Sequence, residues 1–419
     1  MRGTFWTSFG PGLLWAAAAI GVSHLVQSTR AGADAGLGLV GVILLALILK
    51  YPFFEYGPRY AAATGASLVE GYRRIGTWAL WLYLGITLVT SVIVQAAVVL
   101  FTAFLVKFAF GLPWSIAVVA GILMVACALL LWLGRFRVLD LSIKVILVLL
   151  AVSTLAAATL TIRRVDVSTF SLWPGEVVGQ LVPFAFLLAL VGWMPSAIDI
   201  SVWSSLWTLA KDETAGTRAS VATARLDFFA SYVGTGILAF TFVILGAGVM
   251  FHSGTTFSGQ GTVFSTQLVD LYSATLGEWM RPVVLVAVLT TMVSTTLTVV
   301  DGFPRAIDRS IANLRSADPG ATAGRPTGAG YWWSILALAA STVLVLALLV
   351  GNLTSMVDFA TTVSFLTAPI LGWLNLRAVT SPDVPPEYRP SRGMVMLSWV
   401  GLVLLGGTGA AYLGWLVLQ

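Results

Sequence analysis

Residues 182–207 read VPFAFLLALVGWMPSAIDISVWSSLW. The run is apolar through Val191, breaks at Gly192-Trp193-Met194-Pro195-Ser196, and then resumes. Pro195 has no N–H to donate and clashes with the preceding turn. Gly192 weakens a helix at the same place. Residues 10–34, GPGLLWAAAAIGVSHLVQSTRAGAD, carry a matching defect. They are apolar to Ile20, pass through Gly21-Val22-Ser23-His24, and continue with Gln27, Ser28, Arg30 and Asp34. In a bilayer, a broken helix exposes N–H and C=O groups that lipid cannot satisfy, so they must face protein or a water-filled cavity. Two breaks separated by five spans are the pattern of an inverted repeat whose breaks meet near the midplane. Two Pro/Gly kinks without a ligand are the plainer alternative.

That these are membrane spans follows from composition. Of 419 residues, 58% are hydrophobic and 10% charged, and the mean hydropathy is +0.93. A soluble domain carries about 25% charge, so this chain could not cover a water-facing surface. A soluble enzyme, a disordered chain and a nucleic-acid module are excluded. The net charge of +5 falls in short loops between apolar runs and reads as topology. The single cysteine, Cys127, allows no intrachain disulfide. With only two histidines, His24 and His252, a His/Cys zinc site is out of reach. The sixteen tryptophans suit membrane interfaces. Leu13–Ile20 could alternatively be the apolar core of a signal peptide.

A spanning helix needs about 20 mostly apolar residues. Eleven runs qualify: 9–35 and 177–209 (both interrupted), 38–62, 77–108, 113–133, 141–161, 220–250, 281–302, 331–351, 355–377 and 393–416. The expected class is an all-α integral membrane protein forming one domain over 1–416. Its repeats would be 9–161 and 177–377, with 393–416 an added helix. Residues 251–280 and 303–330 read as the longest non-membrane pieces, the second, rich in Gly, Pro, Ala and Arg, suited to a flexible loop. With the N-terminus inside, 17 of the 23 basic residues fall on the inner side. They include Arg2, Arg135, Arg137, Lys144 and Arg325. The expectation is a multi-pass protein of the plasma or inner membrane, N-terminus cytoplasmic and C-terminus outside. No GxxxxGK[ST] run is present, so ATP-driven pumping is not expected.

At this level of detail the chain resembles the NRAMP family of proton-coupled divalent-metal transporters. Gly10-Pro11-Gly12 matches the family's start of helix one, Ala31-Gly32-Ala33 with Gly36 and Gly38 its turn into helix two, and Met194-Pro195 its helix-six Met-Pro. The resemblance runs span by span along nearly the whole chain. It implies the LeuT-like fold of five-plus-five inverted helices and alternating access. The family's Asp-Pro-Gly-Asn is replaced by Gly21-Val22-Ser23-His24, so Gly21 stands where the metal-binding Asp would be and His24 where the Asn would be. Met-Pro-His-Asn becomes Met194-Pro195-Ser196-Ala197, and a further family His falls at Ser201. The acidic residues of helix three are missing; that span offers Ser91 and Gln95. A hard divalent ion needs several O/N ligands, usually with a carboxylate, and is costly to dehydrate without one.

The candidate substrate site is therefore Gly21, Val22, Ser23, His24, Gly192, Trp193, Met194, Ser196, Asp199 and Trp203. Half-helix N-termini carry free N–H groups and partial positive charge, which favours an anionic group such as a carboxylate. Ser23 and Ser196 add hydroxyls, and Trp193 and Trp203 an apolar or cation–π wall. Asp199 shares one helix face with Ser196 and Trp203. As an ionisable residue in a span it is a functional candidate: a cation ligand, a proton acceptor, or a partner of Arg30 or Lys50. His24 could couple protons, or simply bond a backbone carbonyl. His24, Asp199 and Arg30 are the coupling candidates. Arg30 and Asp34 are spaced to pair with each other. Lys50 is expected to snorkel or to pair inside the bundle; Glu55, five residues on, shares its face poorly. Asp301 is expected to open a solvated inner loop, Asp227 to be structural, and Asp358 to end span ten.

The leading reading is a secondary transporter of a small solute other than a transition-metal ion. The alternatives are a divalent-metal transporter rebuilt on His24, Met194 and Asp199, and a non-transporting receptor or assembly subunit. No metal ligand set, cofactor or nucleic-acid partner is expected. Membrane lipid, the solute or ion, and protons are the expected partners, with the oligomeric state left open. An enzyme is not expected, because no HExxH, GxSxG or convincing Asp pair lies within the spans.

Overall fold

The computed structural model describes residues 10–133, 136–173, 175, 182–316, 328–348 and 352–418. Arg2, Arg135 and Arg325 lie outside the described residues, as do the side chains of Arg137, Lys144 and His252. The chain is nearly all helix. The first span consists of α1 (Pro11–Ala19), a π-helical turn (Ser23–Ser28) and α2 (Thr29–Ala35). Then follow α3 (Val40–Thr64), α4 (Leu68–Ile75), α5 (Thr77–Phe110), α6 (Ile116–Trp132) and α7 (Phe136–Thr161). The sixth span is α8 (Phe184–Gly192) and α9 (Ile200–Ala215). The rest are α10 (Val221–Val249), α11 (Gly261–Leu276), α12 (Arg281–Arg315), α13 (Ala329–Leu348), α14 (Leu353–Val379) and α15 (Arg392–Val417).

Seven of these helices are long and apolar enough to cross a membrane. With α6, α7 and the two interrupted spans they make the eleven crossings expected from the sequence. Large apolar side chains such as Ile48, Val125, Val152 and Val403 face outward, as they must where the solvent is lipid. Trp15, Phe53, Tyr56 and Phe101 fill the centre. Leu13–Ile20 is thus part of the packed bundle, with Trp15 edge-on to Phe54 and Phe228.

Lipid offers no hydrophobic drive between helices, so close backbone packing does more of the work. A Cβ on Gly32 would sit 2.1 Å from the Val243 carbonyl, and one on Gly246 would sit 2.2 Å from that of Thr29. Half-helix α2 and α10 therefore touch backbone to backbone. Asp227 of α10 accepts from the N–H groups of Gly10 and Gly12 at 3.3 and 2.7 Å. It caps α1, the structural role expected of it.

Two links between spans contain helices, and one loop expectation is corrected. The stretch 251–280 contains the 16-residue helix α11. A short helix, α4, fills the link between spans two and three. Its signal was present in Ser67-Leu-Val-Glu70, which forms a capping box. The eighth span does not end at Asp301: α12 continues to Arg315. Asp301 is 4% exposed and accepts from Arg305 one turn on, Trp207 and Tyr331. The polar stretch is helical because its charge is paired along the helix. Residues 317–327 of that expected loop lie outside the described residues.

Candidate functional site

Each interrupted span leaves orphan groups on both sides of its break. At the first, Gly21 takes over from Ile20, and the Ala19 carbonyl accepts from the Gly21 N–H and the Ser23 hydroxyl. Thr295 of α12 reaches the break from outside, its Oγ1 lying 3.1 Å from the Ala17 carbonyl and 3.3 Å from that of Ile20. A Cβ on Gly21 would come within 2.7 Å of that same Oγ1 and 2.8 Å of Cγ2. Any larger residue at 21 collides with Thr295.

At the second break, a cation from α3 does the corresponding work. Lys50 is 1% exposed, and its ammonium donates to the carbonyls of Val191, Gly192 and Ser196 at 2.9, 2.9 and 2.7 Å. Three acceptors match the three protons of –NH3+. Hydrogen bonds to a charged group contribute about 1.5–3 kcal/mol each, against a burial cost of several kcal/mol. Lys50 therefore does not snorkel. Glu55 pairs instead with Arg59 and Arg225. The opposite polarity at this break stays open: among the described residues no acceptor meets the N–H groups of Ser196, Ala197 and Ile198.

Between the breaks lies a small cavity. Span one supplies Ala18, Ala19, Val22 and Ser23, and span three supplies Val94 and Val98. From span six come Trp193, Ser196, Ala197, Asp199, Ile200 and Trp203. Span eight adds Thr295, Val299 and Phe303. About 30 Å³ is open to the centres of water molecules, room for about two waters at one per 10–15 Å³. Asp199 is 1% exposed. One of its oxygens accepts from Thr90 at 3.3 Å; the other has no partner among the described residues. No cation pairs with Asp199 there, so neither Arg30 nor Lys50 is its counter-ion. The indole N–H of Trp203 is also buried without a partner, its ring edge-on to Phe303. Trp193 donates to Ser364 at 2.8 Å.

Of the expected site residues, Val22, Ser23, Trp193, Ser196, Asp199 and Trp203 line this cavity. Gly21, His24, Gly192 and Met194 do not. Gly192 packs against α14, where an added Cβ would meet the Thr361 carbonyl at 2.0 Å. The His24 ring lies between the Ser23 hydroxyl at 2.7 Å and the Thr235 carbonyl at 3.0 Å. Both nitrogens are engaged, in the backbone-carbonyl arrangement that was the alternative to a coupling role. Arg30 does not pair with Asp34. It forms a two-pronged contact with Asp358 at 2.7 and 3.1 Å, lies 3.0 Å from Gln27, and stacks 4.6 Å from the centre of Phe186.

Thr90, Thr295 and Lys50 were not among the expected site residues. Thr295 had a signal in the hydroxyl-rich run Thr290–Thr298 inside an apolar span. Lys50 had one in its cost as an intramembrane charge. Ser91 and Gln95 turn elsewhere, to the Leu88 carbonyl and Thr342. Among the described residues no group of three His, Cys, Asp or Glu side chains could hold a metal ion.

Comparison with known proteins agrees on the family. The chain is 32% identical over 403 residues to an uncharacterized protein of Pasteurella multocida (strain Pm70), covering 95% of this chain and 90% of that one. Its fold matches a mutant of the Eremococcus coleocola manganese transporter with a TM-score of 0.73 at 15% identity, covering 97% and 86% of the two chains. It also matches MhsT, solved in complex with L-phenylalanine, with a TM-score of 0.60 at 14% identity over 96% and 98%. The family model described as natural resistance-associated macrophage protein-like matches residues 12–414. The chain belongs to that family, as a multi-pass membrane transporter with the LeuT-like fold.

Proposed function

We propose that this protein is a secondary transporter working by alternating access, and that its substrate is a small solute other than a transition-metal ion. One observation carries the reading. The space beside Gly21, the position that the sequence resemblance matches to the family's metal-binding carboxylate, is filled by Thr295. The change is thus built into the packing of spans one and eight. With glycine there, Asp199 is the one carboxylate among the lining residues, fewer anionic ligands than a dehydrated hard divalent ion usually has. The basic residues support an N-terminus in the cytoplasm and a C-terminus outside, in the plasma or inner membrane.

The second reading, a divalent-metal site rebuilt on His24, Met194 and Asp199, is favoured by the likeness to a manganese transporter and by the open oxygen of Asp199. Against it, His24 and Met194 are not part of the cavity lining. The two readings separate in proteoliposomes under an imposed pH gradient. No saturable Mn²⁺ entry is expected. Proton-driven, saturable Mn²⁺ entry that vanishes in Asp199→Ala would replace the first reading with the second.

A further inference from the structure

The two breaks differ in what they leave open at the cavity. Some acceptors are covered: Thr295 and Ser23 lie against carbonyls of the first break, and Lys50 covers three at the second, of which that of Ser196 belongs to a lining residue. Donors are left over. The N–H groups of Ser196 and Ala197, both in the lining, have no acceptor among the described residues. The Trp203 indole N–H in the same wall is also unpartnered. An anion entering here would meet the N–H groups of Ser196 and Ala197, which precede α9, and the Trp203 indole; the first N–H groups of α9 itself, on Ile200, Ser201 and Val202, are already bonded to the carbonyls of Ala197, Ile198 and Asp199.

Among these donors the open oxygen of Asp199 is the exception. An ionised Asp199 beside a bound carboxylate would place two like charges in one buried cavity, and like charges at close range cannot both ionise. A single proton shared between them removes the conflict. Among the described residues, the surroundings of Asp199 supply no cation to do this instead. Tyr83 on α5 and Tyr72 on α4 lie within electrostatic range, and Tyr72 is bonded to Asn375 of α14. On α3, Lys50 is committed to the carbonyls. On α12, Asp301 is two turns further along α9, beside Trp207, and is held by Arg305.

We propose that the cavity takes a small monocarboxylate together with one proton held by Asp199, the carboxylate accepting from the Ser196 and Ala197 N–H groups and the Trp203 indole. Lys50 adds to this specificity by holding the Ser196 carbonyl, which a cation in the cavity would use. Anion and proton cross together and no net charge moves. The present cavity admits about two waters, so the substrate has few carbons and enters when the spans part. This rests on the non-metal reading above and names its substrate class.

The test is calorimetric titration of the purified full chain with L-lactate, pyruvate and Mn²⁺, in two buffers of different ionisation heat. The expected result is saturable binding of at least one acid, with close to one proton taken up per molecule. Asp199→Asn should bind the acid with no proton uptake. Lys50→Met should bind it at least tenfold more weakly; if that variant does not fold, Asp199→Asn and the wild type carry the test. Unchanged acid affinity in folded Lys50→Met overturns the part assigned to Lys50. Acid binding without proton uptake, the same in Asp199→Asn, overturns the role of Asp199. Binding of neither acid nor Mn²⁺ overturns this proposal and leaves the non-metal reading in place. Binding of Mn²⁺ alone overturns both.

Discussion

The Lys50 ammonium lies 2.7 Å from the carbonyl of Ser196, directly across the break in the sixth span. A charge from the second span thereby holds the two halves of the sixth together, because its other acceptors, Val191 and Gly192, lie at the end of α8. Removing the ammonium would leave the carbonyls of Gly192 and Ser196 without donors, while that of Val191 keeps the Met194 N–H. Lys50→Met should lower stability by about 2 kcal/mol or more, since each unsatisfied buried group costs about 1–3 kcal/mol. Lys50→Arg should recover part of the loss. Melting temperatures of the detergent-purified variants check this. A Lys50→Met protein as stable as wild type would mean the contacts contribute little.

Gly21 offers a different kind of test. Gly21→Asp reinstates the carboxylate of the resembled family but drives a Cβ to within 2.7 Å of Thr295. Overpacking of this kind costs about 1–3 kcal/mol, so the variant should melt lower and gain no Mn²⁺-dependent stabilisation. The double variant Gly21→Asp with Thr295→Ala should recover part of the stability. Equal melting of Gly21→Asp and wild type would show that Thr295 yields easily.

The Asp301 cluster ties α9, α12 and α13 together through Trp207, Arg305 and Tyr331. Asp301→Ala leaves Arg305 without its carboxylate. Breaking one partner of a buried pair costs about 3–5 kcal/mol; the lower end applies because Arg305 is 27% exposed on its side chain. Asp301→Asn should cost less, since the amide keeps an acceptor for Trp207. Thermal unfolding should rank the proteins wild type, Asn, Ala.

Arg30 and Asp358 bridge α2 and α14 at 2.7 Å, with side-chain exposures of 13% and 32%. Partial exposure screens the pair, and such pairs couple by about 0.2–1 kcal/mol. A double-mutant cycle with Arg30→Ala and Asp358→Ala should return a coupling of about 1 kcal/mol. A value near zero would mean that Gln27 and Phe186 hold Arg30 without the carboxylate.

Eleven crossings would put the two termini on opposite sides. A green fluorescent protein fused after residue 418 should stay dark in a bacterial host, and alkaline phosphatase fused there should be active. The reverse pattern would overturn the orientation read from the basic residues.

The number of spans, their order and the positions of both breaks could be read from the sequence. They follow from run length, Pro195, Gly21 and Gly192, and bilayer thickness imposes them on each segment separately. The cap on α4 was equally local, in Ser67 and Glu70, and was legible though overlooked. What the breaks bond to could not be read this way. Lys50 and Val191 are 141 positions apart, Thr295 and Ala17 278 apart, and Arg30 and Asp358 328 apart. Spacing suggested Asp34 for Arg30 because a helix makes i,i+4 neighbours, yet a partner on another helix can offer both carboxylate oxygens to the guanidinium. Sequence determined that two broken helices must find polar partners, since lipid supplies none. Only the tertiary structure decided that Lys50 and Thr295 would reach carbonyls at the breaks while, among the described residues, the N–H groups of Ser196 and Ala197 and one oxygen of Asp199, all in residues that line the cavity, would be left without partners, because that choice depends on which side chains of distant spans arrive at each break.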